Sequence, residues 1–161
     1  MPLTLLTLGY EKRDIDEYVE LLLEAGVTTL VDVRETAWSH KPGFSKTALR
    51  AALATAGISY EHASFAGNPK RLRDAATSHA AVLRAFQRHL DANPSVLQEL
   101  DVLLAGIFVA DGVPCLMCYE RHADDCHRAA LAEGWRARAP RRNARIVEHL
   151  ATEGCRRLVT A

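Results

Sequence analysis

Short apolar runs alternate along the chain with longer stretches in which apolar residues recur every three or four positions. Residues 3–8, all leucine or threonine, predict a strand that Gly9 ends. Asp14 with Glu17 three positions on resembles a capping box. Ile15, Val19, Leu22 and Leu23 then form one helical stripe, closed by Gly26. Residues 27–33 predict a second strand, apolar on both faces as in a buried parallel sheet. The polar residues 35–44 make a long strand-to-helix loop, and long ordered loops are often functional. Ser45 is placed to cap the next helix, whose inner face carries Leu49, Ala52, Leu53 and Ala56 before Gly57. Residues 58–62 predict a third strand, and Gly67, Asn68 and Pro69 a turn.

Residues 72 to about 90 predict one helix with Leu83, Phe86 and Leu90 as its ridge. Pro94 opens another, running to about residue 110 with Val96, Leu100, Leu103, Leu104 and Ile107 inward, and Gly112 breaks it. Residues 113–119 predict a fourth strand, followed by a helix from Asp125 towards Trp135. Pro140 then opens a last helix through Ile146, Val147 and Leu150, and residues 155–159 fit a fifth, C-terminal strand. Strands alternating with helices predict an α/β fold: a single-domain, Rossmann-like sandwich over residues 1–161, with a mostly parallel central sheet flanked by helices.

The chain has 161 residues, enough for one domain with a core, and 48% are hydrophobic. No apolar run reaches the length of a membrane span, and the first residues lack the basic and apolar regions of a signal peptide. A cytoplasmic location with no membrane partner is therefore expected. Twenty basic and twenty acidic side chains cancel, so no global field draws the protein to nucleic acid. From Gly134 onwards, however, seven arginines (136, 138, 141, 142, 145, 156 and 157) face two glutamates. That stretch keeps a nucleic-acid partner open as an alternative. Without an export signal, the four cysteines are expected as thiols or metal ligands, not disulfides.

Chemistry concentrates in residues 114–128, which hold three of those cysteines. Cys115 and Cys118 have the spacing of a metal knuckle, with Cys126, His127 or His122 as further ligands, but no second knuckle follows. Inside a strand, moreover, Cys115 and Cys118 face opposite ways. No metal ligand set, no structural zinc and no cofactor are therefore assigned. Cys115 and Arg121 fit a phosphatase-like spacing, but the residues between are bulky and lack glycine. With Asp124 or Asp125 as N-cap, Cys126, His127 and Arg128 fall in the first helical turn. The helix dipole then predicts a modest lowering of the Cys126 pKa, opposed by the two aspartates. Cys126 reads equally as a packing residue, His127 as an acid–base group or a structural histidine, and Cys155 as core. Asp32 and Arg34 point to one face at the end of a central strand, where α/β proteins bind ligands; the alternative is an Asp–Arg pair that ties down the following loop.

Several pieces together closely resemble the DUF488 family, a domain of unknown function. They are residues 8–11 (Leu8, Gly9, Tyr10, Glu11), Asp32-Val33-Arg34, and Ser39 with Lys41-Pro42-Gly43-Phe44-Ser45-Lys46. They continue in Gly57-Ile58 with Tyr60, in Gly67-Asn68-Pro69-Lys70, and in Cys118-Tyr119-Glu120-Arg121 followed by Cys126-His127-Arg128. The resemblance implies a compact α/β domain and supplies no reaction. Ala37 and His40 depart from its usual pattern, and Cys115 is not part of it. The function expected is an enzyme or ligand-binding domain with a polar pocket for a small anionic substrate bearing phosphate or carboxylate. Asp32, Glu120, Cys126 and His127 are the candidate catalytic groups. Tyr10, Arg34, Ser39, Lys41, Cys118 and Arg128 are the candidate ligand contacts.

Overall fold

A computed structural model describes residues 1–141, 143–150 and the backbone of 158–159. Within these residues, five parallel strands form the sheet: β1 (Leu3–Gly9), β2 (Thr29–Asp32), β3 (Ser59–His62), β4 (Pro114–Cys118) and β5 (Arg145–His149). Their order across the sheet is β3-β2-β4-β1-β5, and a two-residue β6 (Leu158–Val159) pairs antiparallel with β5. Among the described residues, six helices flank the sheet: α1 (Ile15–Glu24), α2 (Lys46–Thr55), α3 (Lys70–Ala75), α4 (His79–Ala92), α5 (Ser95–Val109) and α6 (His127–Ala137). The fold is α/β with a parallel sheet, as the alternation of periods predicts.

Strand alternation sorts the core into two layers. Leu6, Leu8, Leu30, Cys115 and Met117 pack with Tyr18 and Leu22 of α1 and with Leu49 and Leu53 of α2. Their neighbours Leu5, Val31, Leu116 and Cys118 turn to the other face, among Phe86, Leu100, Leu104, Leu131 and Trp135 of α4, α5 and α6. Cys115 and Cys118 therefore face opposite layers, and the knuckle suggested by their spacing does not form. Among the described residues, no single helix is long and apolar enough to cross a membrane.

Asp14 caps α1, its Oδ1 accepting from the Glu17 amide at 2.8 Å. Ser45 stands at the N-cap of α2 but makes no cap bond. Its hydroxyl instead accepts from the Ser39 amide and donates to the Ser39 carbonyl, folding the preceding loop on itself.

Two expected helices are corrected. The helix expected over residues 72–90 is two, because Ser78 takes an extended conformation and caps α4 through the Ala81 amide. The helix expected after Pro140 is β5. Its spacing of apolar residues fits either period over so short a run, and the open edge of β1 decides, pairing Leu3–Thr7 with Arg145–His149 in parallel register. Within the C-terminal strand expected over 155–159, residues 158–159 are β6, while Cys155 lies outside the described residues.

All five parallel strands end at one edge of the sheet, and β1 and β4 leave it side by side. Gly9 is required there: a Cβ would lie 1.8 Å from the Glu120 carbonyl oxygen. Gly9→Ala is expected to cost more than about 2 kcal/mol in urea unfolding. Gly106→Ala, in the open on α5, raises stability by up to about 1 kcal/mol in the same assay.

Candidate functional site

A cleft of about 500 Å³ opens at this edge. Its lining includes Tyr10 after β1, Arg34 and Trp38 after β2, and Cys118, Tyr119 and Glu120 at and after β4. Asn68, Arg73 and His79 close it from the α3–α4 side, and Asp125 and His127 from the start of α6.

The wall after β2 is built on a buried ion pair. Asp32 is fully buried and holds Arg34 with both oxygens, Nε to Oδ1 at 2.9 Å and Nη2 to Oδ2 at 2.7 Å. Tyr60 of β3 donates to the same Oδ2 at 2.6 Å. Burial and this carboxylate both raise the Tyr60 pKa. Burial disfavours the charged form of Arg34, but the Asp32 bonds outweigh it and the net shift is upwards. Arg34 Nη1 then donates to the Phe44 carbonyl at 2.7 Å and the Tyr10 hydroxyl at 3.3 Å, and Tyr10 stacks on Phe44 at 4.4 Å. Four of the five guanidinium N–H groups are thus engaged inside the protein.

Arg128 is also an internal clamp. It is 1% exposed and donates to the Glu120 carbonyl at 2.6 Å, the Arg121 carbonyl at 3.3 Å and Thr7 Oγ1 at 3.2 Å. The candidate pocket groups Asp32, Arg34, Glu120 and Arg128 therefore do not all reach the cleft. Arg34 and Glu120 line the cleft, while Asp32 and Arg128 lie behind it as supports. Lys41 bonds the carbonyls of Tyr10 and Arg13 at 3.0 and 2.6 Å, and Ser39 Oγ accepts from the Lys41 amide at 3.1 Å. Lys41 thus fastens the loop to the segment after β1, and Ser39 holds the loop to itself.

Cys118 and His127 of the cleft lining meet Cys126 beneath it. His127 Nδ1 lies 3.6 Å from Cys118 Sγ and 3.8 Å from Cys126 Sγ, and its Nε2 lies 2.9 Å from the Val33 carbonyl oxygen. A carbonyl only accepts, so Nε2 carries a proton and Nδ1 turns towards the sulfurs. Burial disfavours imidazolium, but the contacts with Cys126, the Val33 carbonyl and Glu120 outweigh it and raise the His127 pKa.

The expectation for Cys126 is corrected in two respects. The N-cap of α6 is Cys126 itself, not an aspartate; Asp124 and Asp125 belong to the short turn before it. Its thiol pKa is raised well above the ordinary value, first by burial and then by the neighbouring Cys118. The dipole contributes on the order of 1 kcal/mol at most, which desolvation of a buried thiolate exceeds.

Glu120 Oε2 and Asn68 Oδ1 are buried and have no hydrogen-bond partner among the described residues. Sequence reasoning read Asn68 only as a turn residue and did not single out Glu35, Arg73 or His79. The one signal for Asn68 is its place in the Gly67-Asn68-Pro69-Lys70 element. In the arginine-rich stretch, Arg136 pairs with Glu133, and Arg145 pairs with Asp101 and covers Trp135. Arg138 and Arg141 are exposed, while residues 142, 156 and 157 lie outside the described residues.

A parallel α/β sheet whose strand ends converge on a polar cleft defines the class of molecule. The chain belongs to the DUF488 family: the family model, described as a domain of unknown function, matches residues 14–134. No curated protein and no solved structure matches it.

Burial also orders the thiols by reactivity. Cys118 lines the cleft, whereas Cys126 is 2% exposed and Cys115 fully buried, with its pKa pushed up to about 12 by burial. In chelator-containing buffer at neutral pH, alkylation of the native protein followed by peptide mass spectrometry is expected to label Cys118 first. Cys115 and Cys126 label only on unfolding. Early labelling of Cys126 would contradict its burial.

Proposed function

We propose that the cleft is the working site, binding a small polar molecule and acting on it by acid–base chemistry with Glu120 as the proton-accepting group. One observation carries this reading: two buried acceptor atoms, Glu120 Oε2 and Asn68 Oδ1, go unpartnered in residues that line a cleft of ligand size. A buried acceptor without a partner costs about 1–3 kcal/mol, and a ligand that donates to it recovers that cost. The half-exposed ring of Trp38, with Val82 and Leu83, supplies an apolar wall for the rest of the molecule. The site stands at the carboxyl ends of parallel strands, where open α/β sheets hold their ligands.

A phosphate or carboxylate on the ligand has narrower support. Arg34 is neutralised by Asp32, and Arg73 shares its charge with Glu35 at 3.3 Å. Arg73 is the group in the cleft that an anion would use, since His79 Nε2 already donates to the Asp125 carbonyl at 2.6 Å. The nucleic-acid alternative has less, since Arg136 and Arg145 already hold acidic partners.

The test is a fragment screen by ligand-observed NMR, with inorganic phosphate and acetate included. Fragments carrying hydrogen-bond donors are expected to bind, and Glu120→Gln and Asn68→Ala each to weaken them at least about tenfold, or 1.4 kcal/mol. Phosphate binding that disappears in Arg73→Ala supports the anionic version. Binding indifferent to Glu120 and Asn68 contradicts the proposal.

A further inference from the structure

Three side chains meet beneath the cleft: Cys118 and Cys126 both approach Nδ1 of His127, and the two thiols also contact each other. They are well matched as metal ligands. Zinc bonds of about 2.05 Å to nitrogen and 2.3 Å to sulfur, at the tetrahedral angle, separate those atoms by about 3.6 Å. The separations here are 3.6 and 3.8 Å, and all three donor atoms lie within 4.8 Å of one another.

The surroundings fit as well. The Nε2–H of His127 donates to the Val33 carbonyl, the outer bond that fixes the tautomer and aim of a ligating histidine. Cys118 ends β4 and Cys126 and His127 start α6, so the ligands stand on rigid elements rather than on the loop between them.

We propose that Cys118, Cys126 and His127 form a zinc site with two thiolate and one imidazole ligand, its fourth position reached from the cleft. Two thiolates and an imidazole in tetrahedral array select zinc over the harder divalent cations. Cys118 and His127 line the cleft, so the metal is approached from the side on which Glu120 stands. The knuckle spacing of Cys115 and Cys118 is not the source of the site. Cys115 faces the opposite layer, and its role passes to two residues contributed by α6. The site rests on these three side chains, independently of the ligand chosen for the cleft. Zinc binding with no fragment binding would sink only the catalytic reading, and the reverse would sink only this one.

The test uses the full chain in reductant, stripped with chelator and titrated with zinc against a chromophoric competitor, then with cobalt(II). One equivalent is expected to bind, with a thiolate-to-cobalt charge-transfer band and tetrahedral d–d bands. Cys118→Ser, Cys126→Ser and His127→Gln each lose more affinity than the roughly 10–100-fold that removal of an outer-shell partner costs. Cys115→Ala retains the wild-type affinity. Because a buried ligand variant can fail to fold, X-ray absorption on zinc-loaded wild type gives the second reading: two sulfurs and one imidazole nitrogen around the metal. No stoichiometric binding, an octahedral cobalt spectrum or a sulfur-free shell overturns the site. A Cys118–Cys126 disulfide on air exposure, in protein that takes up no zinc when reduced, overturns it in favour of a redox pair.

Discussion

The buried pair of Asp32 and Arg34 is the constraint on which the cleft depends. Asp32 ends β2 with no exposure to solvent, and a carboxylate so placed survives only with its oxygens occupied. Arg34 and Tyr60 occupy them. The guanidinium then serves as a hub, tying β2 to Tyr10 after β1 and to the Phe44 carbonyl at the far end of the loop. A pair of this kind adds little net stability over an apolar replacement of the same shape, because desolvation offsets the attraction. Its value is positional. Arg34 selects one arrangement of three chain segments, and the cleft is the space between them.

The same end of β2 also orients the cysteine–histidine group. The Val33 carbonyl meets His127 and the Arg34 carbonyl meets His62, so two backbone acceptors freed by the end of the ladder are satisfied by imidazoles. Through His127 the strand that carries the ion pair aims a nitrogen at Cys118 and Cys126. Arg128, one residue on, clamps the Glu120 and Arg121 carbonyls and so holds the segment after β4 against β1. Neighbouring residues of α6 thereby divide two tasks, His127 at the cleft and Arg128 behind it.

Much of this fold was legible from periodicity, and the site was legible as a list rather than as an arrangement. Strands β1 to β4 and helices α1, α2 and α5 follow from apolar spacing with glycines, proline and caps at their ends. Strand β5 was not legible, because five residues around Ile146 and Val147 satisfy either period and only the open edge of β1 decides. The break between α3 and α4 turned on the conformation of Ser78, which competes with the helix for its own amides. Within the site, Asp32, Arg34, Cys118, Cys126 and His127 stood out by residue type and position. What could not be read was which of them face the cleft. The reactive reading of Cys126 weighed a helix dipole against two aspartates, and only tertiary packing decides for the alternative, a buried packing residue. The inward turn of Arg128 was hidden for the same reason: two of its three partners are backbone carbonyls, which a sequence does not display.

The central claim is that the Asp32–Arg34 pair holds the loop of residues 35–44 in place and with it the cleft. A double-mutant cycle on Asp32→Asn and Arg34→Met, read by urea unfolding and by hydrogen exchange of that loop, tests it most directly. The account predicts that each single change costs about 3–5 kcal/mol, since either leaves a buried group uncompensated. It also predicts that the double change costs less than the sum by about 1–3 kcal/mol. In every variant, amides of residues 35–44 should lose protection before those of β1 and β4. Strictly additive costs, or a loop whose exchange is unchanged when the pair is removed, would contradict it.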